Sequence, residues 1–166
     1  IDIKKNKIYL NGKPLYQRLV LDQGFYPEGI WTAPSDKDLK NDIILSMKAG
    51  FNGARLHEKV FEGRFHYWAD KLGYITWSEF PNWGMNENAK ASETYFLREW
   101  PRIVNYLKNH PSIITWTPFN ETNTLECNAQ HKKLMRIAYD VTKKIDPTRP
   151  VNETSGYQHC LLYTSP

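Results

Sequence analysis

FNGARLHEKVFEGRFHYWADKLGYITWSEF, residues 51–80, holds one complete unit of the fold. FNGARLH is short and favours a strand. GRFHYWADKL carries apolar residues at helical spacing and stops at Gly73, and YITWSEF is again a β-favouring run, so the stretch predicts strand, helix, strand. The same grammar extends outward in both directions. Upstream, Ser35 is placed as an N-cap with Asp38 three residues on, and Leu39, Ile43, Ile44 and Met47 keep helical spacing until Gly50. Before that helix, KIYL, Asn11-Gly12 and KPLYQRLVL predict a hairpin whose second arm continues to Leu21 as a strand. Downstream, a helix is expected from about Ser92 to His110. Pro101 implies either a first-turn proline, with the helix starting near Trp100, or a kink. SIITWTPF then predicts a strand, a helix follows from about Cys127 to Ile145, and PVNETS predicts a fifth strand.

Five strands alternating with four helices imply parallel strands joined by right-handed crossovers. Successive strands start about 34 residues apart. Eight such units would need about 270 residues, and a (β/α)8 barrel takes roughly 250. The expected fold class is therefore α/β, a partial (β/α)8 TIM barrel covering about strands 1 to 5 and preceded by a short β-hairpin. A complete open sheet is the competing architecture, but its frequent phosphate-loop signatures, GxGxxG and GxxxxGK[ST], do not occur.

Composition narrows the function classes. The 166 residues are 40% hydrophobic and 24% charged, which fits one globular domain. A net charge of +4 is spread over single or paired basic residues, so no stripe marks a nucleic-acid surface, and no apolar run is long enough to span a membrane. Cys127 and Cys160 lack CxxC spacing and read as plain thiols, and no His/Cys grouping suggests zinc, so neither metal nor cofactor is expected. Ile1-Asp2-Ile3-Lys4-Lys5-Asn6 is no signal peptide. A leader could precede it, which leaves a periplasmic or secreted location open. Aromatic residues make up 14%, a content shared by sugar clefts and large cores. The tail from Cys160 to Pro166 has no turn or helix logic and resembles a translated sequencing-adapter read, so residues 1–159 are expected to be barrel and 160–166 non-native.

In parallel α/β folds the reactive groups collect at the carboxyl ends of the strands. Asp22 and Gln23 follow the first strand, Arg55 and His57 close the second, Glu79 the third, and Asn120-Glu121 the fourth. Asn-Glu also occurs at Asn86-Glu87 and Asn152-Glu153, so the dipeptide alone is cheap. Only Asn120-Glu121 directly follows a long apolar strand, where Trp116 and Phe119 are expected to desolvate the carboxyl towards a useful general acid.

YLKNHPSIITWTPFNE, residues 106–121, resembles the fourth-strand segment of glycoside hydrolase family 2, which includes β-galactosidases, β-glucuronidases and β-mannosidases. Supporting segments are LNGKPLYQRLVLDQGFYPEG, GFNGARLHEKV, ADKLGYITWSEFP and DPTRPVNETSG, in the family's order and spacing. The resemblance implies hydrolysis of β-glycosidic bonds by a retaining double displacement on a carbohydrate substrate. Two carboxylates, roughly 5 to 5.5 Å apart, would act as acid/base and nucleophile. Glu121 matches the acid/base, Asn120 the partner of the sugar 2-hydroxyl, and Arg55 the strand-two arginine that supports the nucleophile.

The family's nucleophile closes strand seven, which these residues do not reach. Glu153 fits strand five, where the family puts no nucleophile, so the chain as written is expected to be inactive. The family also implies β-sandwich domains before Ile1. His57 has two readings, a sugar contact or a hydrogen-bonded core histidine, and Glu79 likewise lines the site or caps the loop near Pro81. Asp22 is a strand-end candidate for sugar binding. Trp83, Trp31, Phe25 and Tyr26 either stack on sugar faces or cover the barrel rim, whereas Trp77 and Trp116 read as core. The rival reading is a carbohydrate-binding barrel without catalysis, which would keep Asn120 and the aromatic loops. A structural fragment with no site of its own is a third.

Overall fold

The computed structural model describes residues 1–4, 7–122 and 127–155. Its first layer is a small antiparallel sheet of β1 (Asp2–Lys4), β2 (Lys7–Leu10) and β3 (Lys13–Pro14), in the order β1-β2-β3. Asn11 and Gly12 supply the turn between β2 and β3 with φ angles of 51° and 76°, the left-handed pair that a two-residue hairpin needs. The hairpin was expected, but β3 stops at Pro14 and does not run on to Leu21. Proline has no N–H to continue the ladder, and the chain leaves for a second sheet. Pairing of β1 with β2 was not foreseen.

The second sheet contains β4 (Leu19–Asp22), β5 (Gly53–Leu56), β6 (Ile75–Glu79) and β7 (Ile113–Thr117), all parallel and in sequence order. Helices α1 (Asp36–Lys48), α2 (Gly63–Leu72) and α3 (Lys90–Leu107) connect them, and α4 (Ala129–Ile145) follows β7. The expected fifth strand appears as two parallel bridges to the β7 side, Trp116 with Val151 and Asn120 with Ser155, rather than a continuous ladder. This alternation in sequence order is the opening arc of a (β/α)8 barrel. Among the described residues, no helix is long and apolar enough to cross a membrane.

Local signals set the helix ends. Ser35 caps α1 by accepting from the Asp38 N–H, and Asp36 and Asp38 complement the positive end of the helix. Gly73 closes α2 at φ 71°, and the Asn128 side chain accepts from the His131 N–H to start α4. Helix α3 begins at Lys90, close to the expected Ser92, which places Pro101 in its interior rather than in a first turn starting near Trp100. Burial of Phe96, Trp100 and Val104 along one face holds the helix through the missing N–H. Gly53 lets β5 and β6 approach: a Cβ there would meet the Ile75 carbonyl oxygen at 2.2 Å.

Two apolar clusters lie between the sheet and its helices. Leu39, Ile43, Ala54, Leu56, Phe65 and Ala69 join α1 and α2 to β5, while Phe96, Trp100, Trp116, Phe119, Leu134 and Met135 join α3 and α4 to β7. In the second cluster both buried indoles find acceptors: Trp100 Nε1 donates to Thr142 Oγ1 at 2.7 Å and Trp116 Nε1 to Asp146 Oδ2 at 2.8 Å. Cys127 Sγ lies 3.2 Å from His131 Nδ1 at the start of α4. Cys160 and the tail at 160–166 lie outside the described residues.

Asp146 also accepts from the Thr148 N–H and hydroxyl and from Arg149 Nη1. Burial opposes its charge, but the hydrogen bonds from Thr148, Trp116 and Arg149 outweigh this and hold its pKa down at about 2. Because the folded value lies below the unfolded one, the stabilisation is present above about pH 4 and is lost as pH falls towards 2. Asp146→Asn is expected to cost roughly 2–3 kcal/mol at pH 7 and to remove this contribution to the acid slope. Urea unfolding followed by tryptophan fluorescence across pH 7 to 3 checks both effects.

Candidate active site

Register decides which side chains meet at the carboxyl end of the sheet. Leu21, Arg55 and Trp77 are register partners on β4, β5 and β6, and Glu79 lies two residues beyond Trp77 on the same face. This is the concave face. Arg55 Nε donates to Glu79 Oε2 at 2.9 Å and its Nη2 to Glu79 Oε1 at 3.3 Å, a two-point ion pair. The same Nη2 donates to Asn120 Oδ1. Ser155 Oγ donates to Asn120 Oδ1 at 3.0 Å and lies 3.3 Å from Glu79 Oε2. Three adjacent strands and the 150–155 segment thus converge on one polar cluster.

Asn120 is held on its backbone as well. Its N–H donates to Asn82 Oδ1 at 2.7 Å, and Asn82 Nδ2 donates to its carbonyl at 3.3 Å and to Glu87 Oε1 at 2.8 Å. After these contacts Asn120 Nδ2 is buried with no partner, an amide donor left over at the cluster's edge. Glu121 follows with φ 46°, its N–H donating to the Ser155 carbonyl at 2.8 Å. Its side chain is exposed and lines an open cavity of about 250 Å³ with Asn82, Trp83, Met85, Glu87 and Asn120. A carboxyl open to the cavity therefore stands beside a fixed amide donor, an arrangement that can pass a proton to a bound oxygen while holding a neighbouring hydroxyl.

Glu58 completes the wall. Its N–H donates to Glu79 Oε1 at 3.1 Å, and its Oε2 accepts from the Trp83 N–H at 2.9 Å. Burial pushes its pKa up to about 7; hydrogen bonds from the backbone of Trp83 and Asn82 and the charge of Arg55 work against that rise, while Glu79 adds to it. Lys59 Nζ donates to the carbonyls of Gly24 and Trp31, at 3.1 and 2.8 Å, and burial lowers its pKa.

The sequence-derived candidates separate into two groups. Arg55, Glu79, Asn120 and Glu121 come together as described, and Glu79 is a buried ion-pair partner rather than a cap for the loop near Pro81. His57 is buried, 3.0 Å from Gln23 Nε2 through Nδ1, and meets the ring of Trp83 edge-on with centroids 5.2 Å apart. Trp83 is 62% exposed at the cavity. Asp22 instead turns to its own loop, accepting from the Gly24 N–H at 2.8 Å, and burial raises its pKa.

Two expectations are corrected. Trp116 and Phe119 do not flank Glu121: both are fully buried on the helix side of the sheet, Trp116 edge-on to Trp100 and Phe119 stacked on Phe96. Trp77 is only half-buried, on the concave face, where Nε1 donates to Gln17 Oε1 at 2.7 Å. Asn82, Glu58 and Ser155 were missed. Glu58 lies two residues beyond β5, so extending the strand-end rule by one turn finds it; Asn82 and Ser155 act through contacts distant in sequence.

Comparison with known proteins matches this chain to a family. The family described as "Glycosyl hydrolases family 2, TIM barrel domain" matches residues 1–161. A β-galactosidase of Psychromonas ingrahamii is 30% identical over 164 residues, and one of Photobacterium profundum is 27% identical over 164 residues; each alignment covers 94% of this chain and 15% of the relative. The chain thus spans about 15% of the length of these curated relatives. Among solved structures, a β-D-glucuronidase of Dictyoglomus thermophilum superposes with a TM-score of 0.80 at 20% identity, covering 90% of this chain and 28% of that one. The β-glucuronidase 2 of Bacteroides uniformis, covalently bound to cyclophellitol-6-carboxylate aziridine, gives 0.74 at 25% identity over 86% of this chain and 18% of that one. With the family match covering residues 1–161 and the fold shared with these solved structures, this chain belongs to glycosyl hydrolases family 2, in its TIM barrel domain.

Proposed function

We propose that the full-length protein hydrolyses β-glycosidic bonds by retaining double displacement, with Glu121 as acid/base. The observation that carries this reading is the placement of Glu121 at the cavity beside Asn120, whose carbonyl oxygen is fixed by Arg55 and Ser155 and whose Nδ2 is left without a partner. Glu121 protonates the glycosidic oxygen as the bond breaks. As a carboxylate it then activates the water that releases the sugar. Asn120 Nδ2 donates to the ring 2-hydroxyl, a contact that strengthens as the anomeric carbon becomes cationic. Arg55, neutralised on one side by Glu79, offers its charge to the nucleophile.

That nucleophile is expected from a later strand of the barrel. Glu153, 2% exposed, is enclosed in the 150–155 segment and does not supply it. The covalent adduct of the Bacteroides uniformis relative supports a covalent route. The named relatives comprise β-galactosidases and β-glucuronidases, so the sugar is assigned here only as a β-linked glycoside.

Glu121→Gln in the full-length protein is expected to lower turnover of unactivated glycosides by about 10²- to 10⁴-fold. Dinitrophenyl glycosides, whose leaving group needs no proton, should retain their glycosylation rate. Equal turnover of an alkyl glycoside by both forms sinks the assignment, and sugar binding without turnover in either form favours the non-catalytic barrel.

Asn120→Ala is expected to lower kcat/KM by about 10- to 100-fold on an ordinary glycoside. On the matching 2-deoxy glycoside it should cost far less, because the hydroxyl it serves is already gone. Additive losses in this cycle of protein and substrate changes would remove the 2-hydroxyl role.

A further inference from the structure

Glu58 is a buried carboxyl that the mechanism above does not use. It is 8% exposed and has a backbone φ of 54°, a conformation that costs free energy for a glutamate and needs a compensating role. Both ends of the residue are engaged: its N–H reaches Glu79, and its Oε2 accepts from the Trp83 N–H. Trp83 and Asn82 belong to the loop after β6, and the Asn82 side chain grips the N–H and carbonyl of Asn120, the residue before Glu121. The connection runs without a gap from the end of β5, through that loop, to the end of the β7 segment.

We propose that Glu58 is a positioning residue for the acid/base: its carboxylate, by holding the backbone of the Asn82–Trp83 pair, fixes the loop whose Asn82 side chain sets Asn120 and hence the aim of Glu121. The inference rests on the hydrolase reading given above. Charge matters to the clamp because a hydrogen bond to an ionised acceptor is roughly twice as strong as one to a neutral group. The groups that bias this charge are Glu79 on β6, which opposes it, and Arg55 on β5, which favours it but is engaged by Glu79 and Asn120. His57 and Lys59 flank Glu58 in the chain, and Glu87 meets the same loop through Asn82. With burial placing its pKa at about 7, Glu58 is mostly ionised at pH 8 and mostly neutral at pH 6.

Glu58→Gln is the discriminating variant, because the amide oxygen still accepts from Trp83 while the charge is removed. In the full-length enzyme, kcat on an alkyl β-glycoside is expected to fall about 10-fold at pH 8 with KM little changed. The ratio of wild-type to variant kcat should shrink towards one as pH falls through 7. A ratio that is constant with pH, or a loss confined to KM, overturns the positioning role. A second measurement needs neither turnover nor a substrate. In protein labelled with 15N-tryptophan, the Trp83 amide resonance should titrate with a midpoint near 7 in the wild type and not in Glu58→Gln; a Trp83 amide that does not titrate, or that titrates in both forms, overturns the clamp itself. An enzyme in which the amide titrates but no β-glycoside is cleaved refutes the hydrolase reading and leaves the clamp standing.

Discussion

The ion pair between Arg55 and Glu79 is the constraint on which the rest of the site depends. The Glu79 side chain is wholly enclosed and the Arg55 side chain 20% exposed, so neither charge can be left alone without a large desolvation cost. Adjacent parallel strands in register bring them together with two-point geometry, and further contacts surround the pair: Glu58 N–H donates to Glu79, Asn120 Oδ1 accepts from Arg55, and Ser155 Oγ, donating to Asn120 Oδ1, lies 3.3 Å from Glu79 Oε2. A buried pair of this kind contributes little to stability compared with an apolar substitute. What it provides is a fixed guanidinium and a fixed amide at the mouth of the sheet.

Behind that polar layer the helix side of the sheet is rigid for a different reason. Large aromatic rings fill it, from Phe80 and Phe96 through Trp100 to Trp116, in edge-on and stacked contacts at 5.1 to 6.1 Å. Their two indole N–H groups are matched by Thr142 and Asp146 on α4 and just beyond it, which ties that helix to α3 and β7. Asp146 in turn organises the turn into the 150–155 segment through Thr148 and Arg149, and Arg149 donates to the carbonyls of Lys108, His110 and Ile113. Ser155 reaches the site at the end of this chain of contacts, so its place in the cluster depends on packing on the opposite face of the sheet.

Sequence alone reached what local chemistry controls. Ser35, Asn11-Gly12 and Gly73 signal their caps and turn within a few residues, and the strand-helix alternation gave the arc of the barrel with its polar carboxyl ends. It misjudged what depends on which way a side chain faces. Trp116 and Phe119 are close to Glu121 in sequence, and that closeness suggested a desolvated acid. In β7, however, Trp116 faces outward, opposite in direction to the concave-face residues, and Phe119 joins it on the helix side. An apolar run buried on both faces, as β7 is, carries no alternation from which that facing could be read. Asn82 escaped for a related reason: its partner is 38 residues away, and nothing near Pro81 distinguishes a surface asparagine from one that holds a backbone.

Among the described residues, four non-glycine positions have positive φ, and two of them are Glu58 and Glu121, each just past the end of a barrel strand. A strand that simply continued would send these side chains alternately into the helix layer or along the concave face. The left-handed turn instead breaks the alternation, leaving Glu121 in the cavity while Asn120 remains buried beneath it. Such conformations persist only where surrounding contacts over-determine them. At Glu121 the Ser155 carbonyl and the Asn82 grip on the preceding residue supply those contacts; at Glu58 the acceptors and donors are Glu79 and Trp83. Both strained glutamates therefore draw their restraint from the residues beside the Arg55–Glu79 pair, which is why one small polar cluster can fix an exposed carboxyl that no packing holds in place.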